Sequence, residues 1–213
     1  MIGSNYSNGH LSTTAFLRVM VTGANGFVGQ VLCAEAIRRG LHIKGATRSA
    51  CDLPIGVEPA IVSKIDGEAD WTSALHSVDV VIHLAARVHV MKDAAADPLS
   101  EFLRVNLHGT ANLARQAVRT RVKCFVYISS IKVNGEQTGE TVSFTGLDKP
   151  NPQDPYAISK WQAELALQRI AQETGLEVVV VRPPLVYGPN VKGNFISLLS
   201  AIVKRASPAL SKC

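Results

Sequence analysis

Hydrophobic and polar positions follow two patterns, which alternate along the chain. Short apolar runs are typical of buried strands, and longer segments with apolar residues three and four apart are typical of amphipathic helices. The strand pattern occurs at residues 16–22, 41–47, 60–64, 78–86, 123–129 and 176–182. The helix pattern occurs at residues 26–40, 71–76, 98–120, 156–174 and 194–205.

The order of these segments predicts the fold class. Repeated strand–helix–strand units build a parallel sheet that carries helices on both faces. The continuous apolar run at 78–86 fits a central strand that is covered on both faces. We therefore expect an α/β fold with a doubly wound parallel sheet.

Composition narrows the class of protein further. With 213 residues, 46% hydrophobic and 18% charged, the chain can bury one substantial core, and disorder is excluded for most of it. A membrane span needs about 18 consecutive apolar residues, and the longest apolar runs are only strand-sized. Residues 1–15 are polar and lack the basic start and apolar middle of a secretory signal, so we expect a flexible leader there.

The net charge of +5 and the pI near 9.1 raise the question of a nucleic-acid partner. The basic residues are scattered, however, and aromatic residues make up only 6% of the chain. A nucleic-acid surface usually shows a clustered basic stripe. The modest positive charge fits a phosphorylated small molecule about as well, and we expect no nucleic-acid partner.

The four cysteines lie far apart and show no metal-ligand spacing. They are Cys33, Cys51, Cys124 and Cys213. Cys33 and Cys124 fall in patterns typical of a buried helix and a buried strand. We expect reduced thiols, no metal and a cytoplasmic protein.

Three glycines stand where the first strand runs into the first helix: Gly23, Gly26 and Gly29. In a strand–turn–helix unit, the first glycine permits a tight turn and the second lets backbone N–H groups approach a diphosphate. The third lets the helix pack closely on the sheet, and the helix N-terminus attracts the anion. The spacing therefore predicts a dinucleotide site, although three loop glycines without a ligand are the alternative.

The end of the second strand bears on the choice of dinucleotide. A carboxylate there accepts hydrogen bonds from the ribose 2′-hydroxyl of NAD, but this chain has Arg48. An arginine can pair with a 2′-phosphate, which favours NADP(H); the alternative is a solvated surface charge. Asp66, after the third strand, is a candidate contact for the adenine amino group.

A second constellation follows the fifth strand. Tyr156 and Lys160 are four residues apart and share one helical face, and Ser130 ends the preceding strand. Such a pair is by itself more often a packing tyrosine and a solvated lysine. Beside a ligand crevice, a neighbouring ammonium and a nicotinamide cation would favour the phenolate, and tyrosine would act as acid or base near neutral pH. Ser130 would hold the same substrate oxygen.

These motifs occur in a fixed order along the chain. They are Gly23-x-x-Gly26-x-x-Gly29, His83-Leu84-Ala85-Ala86, Ser129-Ser130, Tyr156-x-x-x-Lys160 and Arg182-Pro183-x-x-Val186-Tyr187-Gly188-Pro189. Over about residues 17–194, the set resembles the extended short-chain dehydrogenase/reductases, in particular the NAD-dependent epimerase/dehydratase family that acts on nucleotide sugars. The fold implied is of the Rossmann type.

The resemblance implies roles for individual residues. Tyr156 would be the acid/base, Lys160 would bind the nicotinamide ribose, and Ser130 would bind the reacting oxygen. The residues expected at the cofactor are Gly23, Asn25, Gly26, Phe27, Val28, Gly29, Arg48, Asp66, Leu84, Ala85, Ala86, Ser129, Tyr156, Lys160 and Pro183. Those expected at the substrate are Arg87, Ser130 and Asn194.

The resemblance also implies domains and an assembly. Residues 16–190 would form the NAD(P)-binding domain, and residues 191–213 would begin a smaller substrate-binding domain that is mostly missing. A homodimer would form through the helices at 98–120 and 156–174.

Two activities and a non-catalytic alternative remain open at this point. Within the family, the chain looks most like bacterial surface-polysaccharide enzymes, which resemble UDP-glucose 4-epimerases but include reductases of UDP-4-keto-6-deoxy-N-acetylhexosamines. Asn134 stands where many epimerases have tyrosine, and Leu185 stands where they often have asparagine. A truncated, catalytically inactive dinucleotide-binding module is the alternative.

Overall fold

The computed structural model describes residues 17–88, 97–138 and 142–188. Several predictions therefore lie outside the described residues: the leader at 1–15, Asn194, the helix at 194–205, Cys213 and the start of a second domain at 191–213.

A single six-stranded sheet organises the described residues. The strands are β1 (Arg18–Thr22), β2 (His42–Thr47), β3 (Glu58–Ile61), β4 (Val80–His83), β5 (Cys124–Ile128) and β6 (Glu177–Val181). Their spatial order is β3-β2-β1-β4-β5-β6, and every neighbouring pair is parallel. This is the doubly wound topology of the Rossmann fold, as the strand–helix alternation predicts.

Helices connect the strands. They are α1 (Phe27–Arg38), α2 (Thr72–Leu75), α3 (Pro98–Phe102), α4 (Thr110–Arg119) and α5 (Pro155–Thr174). A π-helical segment, Leu103–Gly109, joins α3 to α4, and a single 3-10 turn, Ile131–Val133, follows β5. The caps explain the bounds of α5, since Asp154 accepts a hydrogen bond from the Ala157 N–H and Gly175 ends the helix in the left-handed conformation.

Two predicted elements differ in detail from the structure. The third strand lies at Glu58–Ile61 rather than 60–64, and Pro59 is tolerated in it because β3 is an edge strand. The helix predicted at 98–120 is interrupted by the π-helical segment. An apolar pattern cannot show that interruption, because a π turn changes the backbone hydrogen bonds without breaking the helical rod.

The core lies in two layers, one on each face of the sheet. Met20 of β1 packs with residues of α2, α4 and α5, including Leu75, Leu113 and Leu167. Val19 and Val21 of the same strand point to the opposite face and pack with α1. Because all six strands run parallel, their carboxyl ends lie at the same edge of the sheet.

The cysteines follow the prediction in part. Cys33 is buried in α1, and burial raises the pKa of its thiol to about 11. Cys124 is only partly buried, because β5 begins there at the rim of the sheet, and Cys51 is exposed. All three are free thiols.

No helix in the described parts of the chain is long and apolar enough to cross a membrane. Within the same residues, no group of three or more His, Cys, Asp or Glu side chains is placed to hold a metal ion.

Strand order reverses between β1 and β4, and ligands of doubly wound folds bind at the carboxyl edge beside such a switch point. At that edge, four residues come directly after strands β1, β4, β5 and β6: Gly23, Leu84, Ser129 and Arg182.

Candidate active site

The glycine turn after β1 leaves no room for side chains. Gly23 has a φ of +68°, in the left-handed region that glycine favours. A Cβ atom on Gly29 would lie 2.1 Å from the Gly23 carbonyl oxygen, and one on Gly26 would lie 3.0 Å from it. The close packing of α1 against the turn therefore needs glycine at position 29, as the spacing predicts.

The first turn of α1 is open to a ligand anion. Gly26 is its N-cap residue, and no side chain caps the helix. The first N–H groups of the helix are therefore available to an anion, which the helix dipole also favours. Asn25 and Val28 are exposed and Phe27 is half-buried, so the three predicted residues lie at the surface of this turn.

The loop after β4 is tied to the glycine turn. The Thr22 hydroxyl oxygen accepts a hydrogen bond from the Ala85 N–H at 3.1 Å and lies 2.7 Å from Nδ1 of His83. Nε2 of His83 lies 3.0 Å from the Thr110 hydroxyl on α4. Burial lowers the pKa of His83 to about 3, with the charge of Lys160 adding to the effect, so the ring is neutral and joins β1, β4 and α4.

Asn106 is a site residue that the sequence reasoning missed. It lies in the π-helical segment and is buried. Its side-chain oxygen accepts from the Arg87 N–H at 2.8 Å, and its amide nitrogen donates to the Arg87 carbonyl at 3.0 Å and to the Ser159 hydroxyl at 2.9 Å. Ser159 in turn donates to the Tyr156 carbonyl at 2.7 Å. A polar residue on the buried face of a helix was the available signal.

Arg87 reaches the same region through aromatic packing. Its guanidinium carbon lies 5.6 Å from the centre of the Phe102 ring, and that ring packs edge-on against Tyr156 with centres 6.1 Å apart. The structure thus places Arg87, predicted to bind substrate, one aromatic ring away from the predicted acid/base.

Ser130, Tyr156 and Lys160 come together as predicted. The Ser130 hydroxyl lies close enough to the half-buried Tyr156 phenol to lower the pKa of that phenol. The Lys160 ammonium lies 6.0 Å from the centre of the Tyr156 ring and 4.6 Å from that of Tyr127, and it donates to the Ile128 carbonyl at 2.8 Å. Lys160 is almost fully buried at the end of β5.

The predicted lowering of the Tyr156 pKa is wrong for the protein's own groups. Burial raises the pKa of Tyr156, the Ser130 hydroxyl lowers it, Asp154 raises it and Lys132 lowers it, in decreasing order of effect. Lys160 does not act this way because its ammonium is directed to the Ile128 carbonyl. Burial also lowers the pKa of Lys160 to about 7, against the opposing charge of Glu164.

Ser129 contributes to a different set of contacts from those expected. Its hydroxyl donates to the Glu164 carboxylate at 2.5 Å rather than facing the crevice. Arg182 donates to both oxygens of Glu164, at 2.6 Å and 3.0 Å, and to the Asn134 side-chain oxygen at 3.0 Å. Asn134 donates onward to the Thr145 carbonyl. This buried network gives Asn134 a structural role. Its signal in the sequence was Glu164, one helical turn after Lys160.

Three more residues that are expected at the cofactor each follow a different strand. Arg48 is exposed directly after β2, at the carboxyl edge of the sheet. Asp66 accepts from the Glu68 N–H at 2.9 Å and lies 3.6 Å from Lys64, so its carboxylate already has protein partners. The Pro183 carbonyl accepts from the Ile131 N–H at 3.0 Å and ties the end of β6 to the turn after Ser130.

The chain matches a family model described as "Epimerase: NAD dependent epimerase/dehydratase family" over residues 19–210. A UDP-glucose 4-epimerase of Vibrio cholerae is 42% identical over 187 residues, which make up 87% of this chain and 57% of that protein. A GDP-6-deoxy-D-mannose reductase of Pseudomonas aeruginosa is 34% identical over 181 residues, covering 84% of this chain and 55% of the reductase.

Solved structures show the same fold. MoeE5 in complex with UDP-glucose and NAD superposes with a TM-score of 0.70 at 30% identity, covering 85% of this chain and 59% of that one. A UDP-glucuronic acid 4-epimerase from Bacillus cereus in complex with NAD gives a TM-score of 0.75 at 23% identity, covering 89% of this chain and 63% of the epimerase. The chain thus spans little more than half the length of the curated relatives named above.

Proposed function

Because the chain belongs to the NAD-dependent epimerase/dehydratase family, we propose that it carries the cofactor-binding and catalytic residues of a nucleotide-sugar oxidoreductase or epimerase. The reaction moves a hydride between NAD(P) and C4 of a UDP-hexose or UDP-hexosamine. The observation that carries this proposal is the placement of the Tyr156 ring 6.0 Å from the Lys160 ammonium and beside Ser130, at the sheet edge that also holds the glycine turn.

The residues of the glycine turn fit a dinucleotide. The missing side chains at Gly26 and Gly29 and the uncapped start of α1 leave backbone N–H groups for the diphosphate. The loop of Leu84, Ala85 and Ala86 and the strand end at Pro183 would line the nicotinamide. When bound, that ring supplies hydride acceptance and donation at its own C4.

Tyr156 would move the proton that accompanies the hydride. Burial raises the pKa of its phenol, so the side chain is protonated at neutral pH and suited to donate to a carbonyl oxygen at sugar C4. Ser130, which lies beside the phenol, would orient that same oxygen. Lys160, buried at the end of β5, would bind the ribose and keep the Tyr156 phenol in position.

A protonated resting tyrosine suits the reductase direction, which begins with proton donation. The Vibrio cholerae relative, called a UDP-glucose 4-epimerase, supports the epimerase instead. An epimerase retains NAD(H) and returns the hydride to the opposite face of the sugar, whereas a reductase releases the oxidised cofactor. Arg48 at the end of β2 favours NADP(H) and thereby the reductase.

The test compares the purified chain with its Tyr156→Phe variant. Bound cofactor is quantified after denaturation, and turnover is followed with UDP-glucose, UDP-N-acetylglucosamine and a UDP-4-keto-6-deoxy sugar, each with NAD(H) and NADP(H). We expect cofactor binding in both proteins and turnover in the parent only. Tightly bound stoichiometric NAD would exclude the reductase, and cofactor binding without any turnover would support the inactive dinucleotide-binding module.

We further propose a homodimer in the cytoplasm that serves surface-polysaccharide synthesis. The helices α3, α4 and α5 and the π-helical segment pack together, so their outer surfaces can form one interface. Light scattering on the purified chain tests the dimer, and a monomer at micromolar concentration would contradict it.

A further inference from the structure

The Lys160 ammonium lies over the face of a second aromatic ring, that of Tyr127 in β5. The distance from the ammonium nitrogen to the centre of this ring is 4.6 Å, whereas the centre of the Tyr156 ring is 6.0 Å away. Tyr127 is fully buried and Lys160 is almost fully buried. The sequence motifs do not include Tyr127, which falls within an apolar strand pattern.

Contacts with β4 fix the orientation of the Tyr127 ring. Tyr127 lies opposite His83 in the register of the two parallel strands, and the two rings are stacked at 24° with centres 5.9 Å apart. The His83 ring is held in turn between the Thr22 and Thr110 hydroxyls. The Tyr127 hydroxyl makes no hydrogen bond within the described residues, although Thr110 lies near enough to lower its pKa. The packing of the ring, rather than its hydroxyl, therefore sets its position.

Few other groups contact the Lys160 ammonium. Its nitrogen donates to the Ile128 carbonyl at 2.8 Å, and this is its only hydrogen bond among the residues that the structure describes. The Glu164 carboxylate, one turn further along α5, is already paired with Arg182. A ring face attracts a cation that lies within about 6 Å of the ring centre, and the attraction is stronger where water is excluded. The Tyr127 ring is therefore a main partner of the charged form of Lys160.

The elements around Lys160 contribute different groups. His83 on β4 is neutral, since burial lowers its pKa to about 3. Tyr127 on β5 and Tyr156 on α5 are also neutral, because burial raises the pKa of both phenols. Glu164 on α5 carries a charge that opposes the effect of burial on the pKa of Lys160. Within the described residues, the ammonium thus depends on one carboxylate, one backbone carbonyl and the nearer of two ring faces.

We propose that Tyr127 is a positioning residue for Lys160: its ring face holds the ammonium at the end of β5, where that side chain would bind the nicotinamide ribose. This inference rests on the proposed function, in which Lys160 binds the cofactor. Tyr127 acts through Lys160, because its own ring is fully buried.

The experiment titrates the Lys160 ammonium by NMR in chain labelled with ¹³C at the lysine ε carbon, without added cofactor. The Lys160 signal is identified by its loss in Lys160→Met. The variants at the ring are Tyr127→Phe, the same variant with one, two or three fluorine atoms on the phenylalanine ring, and Tyr127→Leu. Fluorine withdraws electrons from the ring face and weakens its attraction for a cation, while the ring keeps its shape.

The midpoint of the Lys160 titration should follow the electron density of the ring face. Tyr127→Phe is expected to keep the midpoint of the parent, and each added fluorine is expected to lower it further. Tyr127→Leu removes the ring and should lower the midpoint by about half a pH unit or more. The affinity for NADH and NADPH should fall by about two- to fivefold in Tyr127→Leu and in the trifluorinated chain.

Phe125→Leu is the matched control. Phe125 is a fully buried ring in the same strand, and within the described residues its ring does not contact the Lys160 ammonium. The control loses comparable packing and should leave the Lys160 midpoint unchanged. The fluorinated series carries the test if Tyr127→Leu does not fold. A midpoint that does not move with fluorination, or an equal shift in Phe125→Leu, would overturn the inference.

Failure of the proposed function is distinguishable from failure of this inference. If Lys160→Met retains full turnover and cofactor affinity, Lys160 does not have its proposed role, yet the effect of fluorine on its titration remains measurable. If Lys160→Met abolishes cofactor binding while fluorine leaves the midpoint unchanged, only the role of Tyr127 is lost.

Discussion

Arg182 at the end of β6 and Glu164 in the middle of α5 form a two-point ion pair, with N–O distances of 2.6 Å and 3.0 Å. The Glu164 side chain is 1% exposed and that of Arg182 is 20% exposed. Ser129, at the end of β5, donates to the same carboxylate. One buried anion therefore holds two strand ends against the helix that carries Tyr156 and Lys160.

Glu164→Ala should destabilise the fold strongly. The substitution leaves the Arg182 guanidinium partly buried without its partner, a change that costs roughly 3–5 kcal/mol. Urea denaturation gives the free energy of unfolding directly. Glu173→Ala, on an exposed position of the same helix, is the matched control and should change that free energy by less than about 0.5 kcal/mol. Equal effects of the two substitutions would contradict the role assigned to Glu164.

Lys160 should make stability depend on pH. Burial lowers its folded-state pKa from 10.5 to about 7, so the unfolded chain binds this proton more tightly between those values. Its burial therefore costs stability fully below about pH 7, and this cost disappears as the pH rises toward 10.5. Lys160→Met should be more stable than the parent at pH 7, with a smaller difference at pH 9.

Denaturant titrations at the two pH values check this prediction. Lys149→Met, at an exposed position, is the control and should show the same difference from the parent at both. A pH-independent difference for Lys160→Met would show that the buried ammonium keeps an ordinary pKa.

Gly29→Ala should weaken cofactor binding while most of the sheet persists. The added Cβ would lie 2.1 Å from the Gly23 carbonyl oxygen, so α1 must move away from the turn that aims its N–H groups. We expect affinity for NADH and NADPH to fall by about tenfold or more, that is at least about 1.4 kcal/mol. Gly67→Ala is the control, because its Cβ would meet only the His108 Cβ at 3.7 Å. Nucleotide fluorescence measures binding, and unaltered affinity in Gly29→Ala would place the dinucleotide elsewhere.

Arg48→Gln should alter the choice of dinucleotide. If Arg48 pairs with a 2′-phosphate, losing this charged hydrogen bond costs about 1.5–3 kcal/mol of binding free energy. The affinity for NADPH should then fall by roughly ten- to a hundredfold. Affinity for NADH should stay the same. The ratio of the two dissociation constants is the measurement, with Arg39→Gln at the exposed end of α1 as the control. An unchanged ratio would show that Arg48 is a solvated surface charge and does not bind the 2′-phosphate.

The apolar periodicity predicted six strands in parallel order and the helices between them, but not the bounds of β3 or the π-helical segment. Those features depend on short-range rules: the alternation of patterns, the handedness of crossovers and the backbone freedom of glycine. The motif spacing also placed Ser130, Tyr156 and Lys160 at one edge of the sheet. Each of these conclusions concerns residues close in the chain or the fixed geometry of a strand–helix unit.

The tertiary structure alone decided where charges meet. Glu164 contacts Arg182, which is 18 residues away along the chain, and Lys132 contacts Asp154, which is 22 residues away. No periodic pattern links residues so far apart. The pKa of Tyr156 and that of Lys160 are shifted mainly by the burial of each group itself, and charges such as Asp154 and Glu164 add to or oppose that shift. The expected effect of Lys160 on the phenol proved wrong for that reason. The sequence by itself brought Ser130, Tyr156 and Lys160 to one edge of the sheet, but it did not show that Ser129 turns to Glu164. How strongly each holds its proton depended on desolvation and on partners that only the folded chain brings together.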